Sequence, residues 1–116
     1  MPFIRLETTE RLTPDVKASL CAKLSRLCAE GIGKPEGYVM AIVQDAVTML
    51  HAGAPGPAAF ADVRSIGGLS PKVNRALAEG LCRLLAETLS IPGERVYLNF
   101  TEVTSSHWGH DGTTFG

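Results

Sequence analysis

The sequence repeats itself, with Ser70 standing 57 positions after Thr13, and this repeat limits the possible folds more than any other feature. The Thr13-Pro14 pair falls on Ser70-Pro71, and the matches continue in register without a gap. The aligned apolar residues are Leu20, Leu24 and Leu27 on Leu77, Leu81 and Leu84, with Phe3 and Leu6 on Phe60 and Val63. So many matches in one register indicate a duplicated structural unit.

Each unit is predicted to form a strand, a helix and a second strand. Thr13 and Ser70 suit the helix N-cap, and each is followed by proline, whose missing N–H costs nothing at the first helical position. Apolar residues then recur at the spacing of an amphipathic helix: Val16, Leu20, Leu24 and Leu27 in the first, and Val73, Leu77, Leu81 and Leu84 in the second. The residues expected to end the helices are Gly31 and Gly33 in the first, and Ser90, Pro92 and Gly93 in the second.

Four short strands are predicted, at Phe3–Glu7, Tyr38–Gln44, Ala58–Ser65 and Arg95–Thr101. Two right-handed β-α-β crossovers then give an α+β fold, a four-stranded mixed sheet with both helices on one face. We expect one domain over residues 1–116, with repeat units at about 2–58 and 59–116. The uncovered face is predicted to carry apolar groups, notably Met40, Ile42 and part of the strand 60–66, and we therefore expect a homo-oligomer that buries this face.

Composition excludes some classes of protein but does not identify the function. A formal charge of −1 argues against a nucleic-acid binder and a polybasic membrane-surface protein. The sequence shows no signal peptide and no apolar stretch of about 18 residues, so we expect a cytoplasmic location, although release by an unconventional route would leave no mark here. Cys21, Cys28 and Cys82 form no CxxC pair and lie in apolar-periodic segments, which favours small buried side chains.

Pro2 is the sharpest candidate for chemistry. Removal of the initiator Met would leave a prolyl secondary amine, and α-amino groups have pKa values near ~7.7–8.0. Burial beside apolar residues disfavours the charged form, so this amine would be usable as a general base. Phe3 to Leu6 begins at once as a strand, which would hold the amine in place, whereas most termini are mobile. The alternative is that Pro2 is only a second residue.

Other candidates have structural alternatives. Lys34 would either bind a carboxylate or complement the helix C-terminus. Ser65-Ile66-Gly67-Gly68 offers backbone donors before a helix, although a double glycine is more often only a turn. Tyr97 and Asn99 share one strand face and would either bind a ligand or pair across strands. Arg11 would either bind an anion or lie exposed, and His107, His110 and the distant His51 do not form a convincing metal set.

Together these motifs resemble a known family. Met1-Pro2, Gly33-Lys34-Pro35, Ser65-Ile66-Gly67, Arg95-Val96-Tyr97-Leu98-Asn99, Trp108-Gly109 and Thr114-Phe115 are similar, in order and spacing, to the macrophage migration inhibitory factor family of the tautomerase superfamily. The resemblance covers essentially the whole chain. It implies a duplicated β-α-β subunit assembled as a homotrimer, with sites at the subunit interfaces.

The resemblance also implies an activity, keto–enol tautomerisation of phenylpyruvate-type α-keto acids and of D-dopachrome-type compounds. Pro2 would be the base, with Lys34 and the Ile66 N–H holding the substrate carboxylate or carbonyl oxygen. Tyr97 and Asn99 would come from the neighbouring subunit, and Trp108 and Phe115 would form an apolar wall. This chemistry needs no metal and no organic cofactor.

Two departures from the family pattern matter. Ala58 and Ala61 stand where some members carry a Cys-x-x-Cys, so thiol oxidoreductase activity is not expected; His110 stands where many carry an aromatic residue, which leaves substrate preference open. The alternative functions are a cytokine-type signalling protein with a secondary or vestigial site, a ferredoxin-like small-molecule regulator, and another reaction of the superfamily. That last reaction usually needs paired arginines, which Arg11 alone does not supply.

Overall fold

Two β-α-β units follow one another in the computed structural model, which describes residues 1–116. The first contains β1 (Pro2–Thr8), α1 (Pro14–Ile32) and β2 (Met40–Gln44). The second contains β3 (Ala59–Ser65), α2 (Pro71–Leu89) and β4 (Val96–Glu102). Shifting β1 and α1 along the chain by the length of the repeat reproduces the bounds of β3 and α2. The predicted duplicated unit is confirmed.

The four strands form one mixed sheet in the order β2-β1-β3-β4. β1 runs parallel to β2 and β3 runs parallel to β4, whereas the central pair β1 and β3 is antiparallel. Ile4, Leu6 and Val63 point to the face that both helices cover, and they join the main apolar core. The predicted α+β fold, with two helices on one face, is therefore confirmed. Neither helix is long and apolar enough to cross a bilayer.

The helices begin where the sequence indicates. Thr13 Oγ1 accepts a hydrogen bond from the Val16 N–H at 3.3 Å, and Ser70 Oγ accepts one from the Val73 N–H at 3.1 Å. The last helical turns close on Gly33 and Ser90, both in the left-handed region with φ of 78° and 56°. These caps satisfy backbone groups that a helix end otherwise leaves unpaired.

Gly31 lies inside α1, so the expectation that it ends the helix is wrong. A Cβ at this position would collide with the Leu77 side chain of α2. Gly80 of α2 has the matching role, because a Cβ there would lie 2.8 Å from Leu27 Cδ1. Both glycines allow the two helices to approach closely.

Three buried positions in each helix follow a spacing of four and are equivalent under the repeat: Leu20, Leu24 and Cys28 in α1, and Leu77, Leu81 and Leu85 in α2. In α1, Ala29 and Ile32 are buried as well. Val16 is instead 42% exposed, and Leu27 and Leu84 are only half-buried, so these parts of the predicted stripe are corrected.

All three cysteines are free. Cys28 is fully buried, and burial raises the pKa of its thiol to about 11. Cys82 is half-buried, and burial raises its pKa as well. Cys21 is also half-buried, and its Sγ lies 3.2 Å from the Ala41 carbonyl oxygen. These surroundings agree with the interpretation of the cysteines as small apolar side chains.

The starts of all four predicted strands needed correction, and only that of β2 by more than one residue; β1 begins one residue early, at Pro2. β2 begins at Met40 and not at Tyr38, because Glu36–Tyr38 forms a single 3-10 turn after Pro35. In the second unit Gly93–Arg95 forms the same turn after Pro92, so β4 begins at Val96. β3 begins at Ala59, one residue later than predicted. The C-terminal hairpin of β5 (Gly109–His110) and β6 (Thr113–Thr114) was not predicted.

The open face of the sheet is not simply apolar. Asp62 lies at its centre, is only 6% exposed, and accepts hydrogen bonds from Arg5 at 3.2 Å and from Arg64 at 2.9 Å. Apolar Phe3, Met40, Ile42 and Phe60 occupy the flanking positions of the same face. The predicted apolar groups do lie on the open face, and the structure adds charged side chains at alternate positions of both central strands.

Arg95 ties the connection between the two units to the start of β4. Its guanidinium donates to the carbonyl oxygens of Pro57 at 2.7 Å, Ala54 at 3.0 Å and Gly56 at 3.3 Å. His51 and Ala54 exchange backbone hydrogen bonds of 3.1 and 3.0 Å, closing a tight turn. The His51 ring then lies 4.8 Å from the Tyr97 ring. The connection is thus a fixed element of the fold.

Candidate active site

The chain end at Pro2 is buried and held. Pro2 is the first residue of β1, pairs with Ser65 of β3, and has less than 2% of its surface exposed. Proline suits this position because a strand can begin with a residue that donates no hydrogen bond. The Met1 carbonyl oxygen accepts a hydrogen bond from the Ile66 N–H at 3.3 Å. The N-terminus is therefore anchored, unlike most chain ends.

A cavity of about 430 Å³ opens beside this chain end. Ten residues line it: Met1, Pro2, Gly37, Tyr38, Val39, Met40, Trp108, Gly109, His110 and Phe115. The volume falls within the range of small-molecule sites, which are mostly apolar with a few polar groups. The structure thus brings Pro2, Trp108 and Phe115 into one cavity.

The C-terminal hairpin forms one wall of the cavity. Asp111 and Gly112 adopt positive φ of 49° and 79°, which makes the tight turn between β5 and β6. The Phe115 N–H donates to the Trp108 carbonyl oxygen at 3.2 Å. The rings of His110 and Phe115 stack nearly parallel, with centroids 5.6 Å apart and an interplanar angle of 9°. These contacts hold an aromatic wall against the N-terminus.

The electrostatics of this region favour a neutral amine. Burial, and secondly the positive charge of Lys34, lower the pKa of the Met1 α-amino group below its ordinary value of 8.0. Desolvation and a nearby like charge both disfavour the protonated form of an amine. Lys34 itself lies in an adjoining depression with Arg26, Glu30 and Glu36, outside the wall of the main cavity. Its positive charge therefore acts on the Met1 amine from outside the main cavity.

The turn after β3 places the Ile66 amide against the N-terminus. Ser65 Oγ donates to the Gly67 carbonyl oxygen at 2.6 Å, and Gly67 and Gly68 adopt φ of 73° and 84°. A Cβ at Gly68 would lie 2.7 Å from Ile32 Cγ2, so the second glycine is also required by packing. The turn directs the Ile66 N–H toward the Met1 carbonyl oxygen, next to Pro2, although Ile66 does not line the cavity.

Tyr97 and Asn99 do not line this cavity. Both lie on the open face of β4, where Tyr97 is 66% exposed and Asn99 is opposite Asp62. β3 separates β4 from β1 in the sheet. Within one chain these two side chains are therefore brought together with each other but not with Pro2.

Comparison with known proteins identifies the family. The sequence matches the family described as macrophage migration inhibitory factor (MIF) over residues 1–116. The chain belongs to the MIF family. A macrophage migration inhibitory factor homolog of Brugia malayi is 35% identical over 116 residues, with the whole of both chains aligned.

Solved MIF structures share the fold. The MIF homologue from Prochlorococcus marinus superposes with a TM-score of 0.92 at 35% identity, covering 98% of this chain and 99% of that one. The MIF-like protein of Entamoeba histolytica gives a TM-score of 0.92 at 32% identity, with 98% of both chains covered. At the coarse level, membership supports an isomerase of the tautomerase type.

Several residues that line the cavity were missed from the sequence. Gly37, Tyr38, Val39 and Met40 line the cavity, yet only Met40 was singled out, and then for the open sheet face. Their placement follows from the parallel pairing of β1 and β2, which puts Phe3 opposite Met40 and so brings the start of β2 beside Pro2. His107 lies outside this cavity, and no cluster of three or more potential metal ligands forms.

Proposed function

We propose that the chain is a cofactor-independent keto–enol tautomerase acting on phenylpyruvate-type α-keto acids, with Pro2 as its base after Met1 is removed. D-dopachrome-type compounds, which are also aromatic and carry carbonyl groups, are the second substrate class. The observation that carries the proposal is the placement of Pro2, a buried and anchored chain end on the wall of a cavity of about 430 Å³.

The base is supported by its surroundings. The lowered pKa of the Met1 amine indicates that a cation is disfavoured at this end of the chain. Pro2 is the next residue and is more deeply buried, so the secondary amine formed by removal of Met1 would experience the same desolvation. A neutral amine at working pH can remove the C3 proton of a keto acid and return it to the oxygen. A base positioned in this way typically contributes about 10²–10⁴ in rate.

The developing enolate needs positive charge and hydrogen-bond donors beside it. In the unprocessed chain the Ile66 N–H is occupied by the Met1 carbonyl oxygen. Loss of Met1 would free this donor together with the Pro2 nitrogen. We assign the Ile66 N–H and Lys34 to the substrate carboxylate or carbonyl oxygen, where preorganised donors stabilise charge as it forms. We assign Trp108 and Phe115, which line the cavity, to contact with the aromatic ring of the substrate.

A homotrimer with sites at subunit interfaces completes the proposal. Tyr97 and Asn99 are exposed on the open sheet face and do not reach their own Pro2. A neighbouring copy would supply them to the cavity. Sedimentation should give three times the chain mass of 12.3 kDa. A monomer as the only species at micromolar concentration would refute the shared site.

The decisive test is the phenylpyruvate enol–keto assay on two forms of the same chain. Mass spectrometry first establishes whether Met1 is present. The form that begins at Pro2 should be active, and the form that retains Met1 should be inactive because its Pro2 nitrogen is part of an amide. Equal activity of the two forms would contradict the assignment of the base.

A signalling role is the second candidate. The names of the relatives, which are macrophage migration inhibitory factor homologs, favour it. The two roles separate experimentally, because a signalling surface would keep its effect when the Pro2 amine is chemically blocked.

A further inference from the structure

We propose that Gly68 is a positioning residue for Lys34, because its missing side chain lets the turn after β3 pack directly on the end of α1. The inference rests on the proposed function, in which Lys34 and the Ile66 N–H both act on the substrate carboxylate or carbonyl oxygen. It goes beyond that function by assigning the separation of these two donors to one glycine that does not line the cavity.

Gly68 lies against the last turn of α1. A Cβ on Gly68 would lie 2.7 Å from Ile32 Cγ2 and 3.2 Å from the Ile32 carbonyl oxygen. The first distance is well below the optimum of about 3.5–4.0 Å for two carbon atoms. Ile32 belongs to the apolar core, whose close packing leaves its side chain little room to move. A side chain at position 68 would therefore push the turn and the end of α1 apart.

Lys34 follows this contact by two residues and passes the same glycine. Its Cε would lie 3.5 Å from a Cβ on Gly68, so the aliphatic stem of the lysine runs along the turn. The Lys34 N–H donates to the Ala29 carbonyl oxygen at 3.0 Å, which ties the residue to the helix end. The turn carries the Ile66 N–H, which donates to the Met1 carbonyl oxygen. The close approach at Gly68 thus sets the separation of the Lys34 charge and the Ile66 donor.

The repeat shows that the fold itself does not need this close approach. It places Arg11 where Gly68 stands and Leu89 where Ile32 stands. Arg11 is exposed and does not adopt a positive φ, and a groove of about 330 Å³ lies beside Leu89. The close approach therefore occurs next to Lys34, whereas the equivalent place in the repeat, which has no lysine, is left open.

The first test uses the chain that retains Met1, whose α-amino group senses the charge of Lys34 without any substrate. Burial, and secondly the charge of Lys34, lower the pKa of this amine, so Gly68→Ala should raise it by moving Lys34 away. Gly67→Ala is the matched control. Gly67 has φ of 73° against 84° for Gly68, but a Cβ on Gly67 would meet nothing within 4 Å. Both variants strain the backbone, and only Gly68→Ala should shift the pH dependence of amine labelling.

Lys34→Gln shows whether this shift acts through the lysine. In the Lys34→Gln background, Gly68→Ala should leave the labelling profile unchanged, because the charge whose distance it alters is gone. A shift of equal size with and without the Lys34 charge would overturn the inference. Identical profiles for Gly68→Ala and Gly67→Ala would overturn it as well.

The chain that begins at Pro2 gives a second readout. Gly68→Ala should raise KM for phenylpyruvate about 3- to 10-fold, the upper value being that expected for loss of a charge-assisted contact. In Lys34→Gln the same change should raise KM no further, since residues that act as a unit give non-additive losses. Additive losses would contradict the inference. If this chain does not turn over phenylpyruvate, the proposed function is wrong, whereas amine labelling of the Met1 form still decides the inference.

A thermal melt checks that each variant is folded. If Gly68→Ala fails to fold, Gly68→Asn replaces it, because Asn adds the same Cβ but tolerates the left-handed region better. Its matched control is Gly67→Asn. A Gly68→Asn chain whose Met1 amine has the same labelling profile as the control would overturn the inference.

Discussion

The two β-α-β units have the same architecture but different chemical content. β1 and β3 have equivalent bounds, as do α1 and α2, and both helices end on a left-handed residue before a Pro-led 3-10 turn. Where the first unit has Pro2 and Lys34, the repeat places Ala59 and Ile91 in the second. Ala59 and Ile91 are both buried in the core. Duplication therefore supplied the scaffold twice, and only one copy carries the candidate site.

The difference arises from where each unit begins. β3 follows a connection, so its first nitrogen is part of an amide. β1 begins at the chain end, where removal of one residue would convert the Pro2 nitrogen into an amine. The C-terminal hairpin adds a second difference, because Trp108, His110 and Phe115 cover the end of β1 and so contribute to the cavity. Function belongs to the site and not to the fold.

The largest expected effect comes from Pro2→Gly compared with Ala59→Gly. Loss of the secondary amine and its fixed position should lower kcat for phenylpyruvate by about 10²–10⁴. Ala59→Gly changes the equivalent position of the second unit and should leave kcat within about threefold, because it only removes one buried methyl group. Near-full activity of Pro2→Gly would refute the proline base.

The second prediction concerns the shared core. Leu24 and Leu81 are equivalent under the repeat and essentially fully buried. Leu24→Ala and Leu81→Ala should each lower the free energy of unfolding by about 2–5 kcal/mol, since each leaves a cavity in the same core. Urea denaturation measures both losses. A large loss in one variant and almost none in the other would show that the two halves are packed unequally.

Lys34→Gln tests the charge that only the first unit has. KM for phenylpyruvate should rise about tenfold, as expected for losing a charge-assisted contact. Lys72→Gln is the control, because Lys72 is exposed on α2 and remote from the cavity. In the chain that retains Met1, the same Lys34→Gln change should raise the pKa of the α-amino group, because a neighbouring cation now lowers it. The pH dependence of amine labelling measures this shift, and an unchanged profile would contradict the assigned proximity.

The smallest effects are expected at the two helix ends. Ser90 has φ of 56°, which costs an L-residue roughly 1 kcal/mol, so Ser90→Gly should raise the free energy of unfolding by up to about that amount. Gly33→Ala should lower it by a similar amount, because Gly33 has φ of 78°. Thermal melting of both variants would measure these opposite changes. Changes of the same sign would mean that the two caps are not equivalent.

The sequence predicted the features that depend on local rules. Thr13 and Ser70 cap their helices as expected, and the elements repeat in register because the same local signals occur twice. Other features depend on pairing between distant residues. Arg5 meets Asp62 only because β1 and β3 pair, and Gly31 is a packing residue only because Leu77 crosses it.

In the candidate site, too, some residues were predicted from local sequence and others depend on long-range pairing. Pro2 was predicted from its place at the start of a strand, and the cavity walls at Trp108 and Phe115 followed from the family resemblance. The hairpin that presents His110 was not predicted, because its strands of two residues show no hydrophobic period. Tyr38 and Met40 were missed as cavity residues because their position depends on the register between β1 and β2.

The hydrogen bond from the Ile66 N–H to the Met1 carbonyl oxygen has a consequence for the order of events during synthesis. The proposed activity needs Met1 to be cleaved, and the folded chain holds that residue against the turn after β3. β3 ends at Ser65, so at the usual pace of translation its residues appear roughly 3–13 s after the first ones. During that interval the N-terminus lacks β3 and the turn that holds Met1, and it is open to an aminopeptidase. Removal of Met1 is therefore favoured before β1 and β3 pair. A chain that folds first would keep Met1, and its Pro2 nitrogen would remain part of an amide.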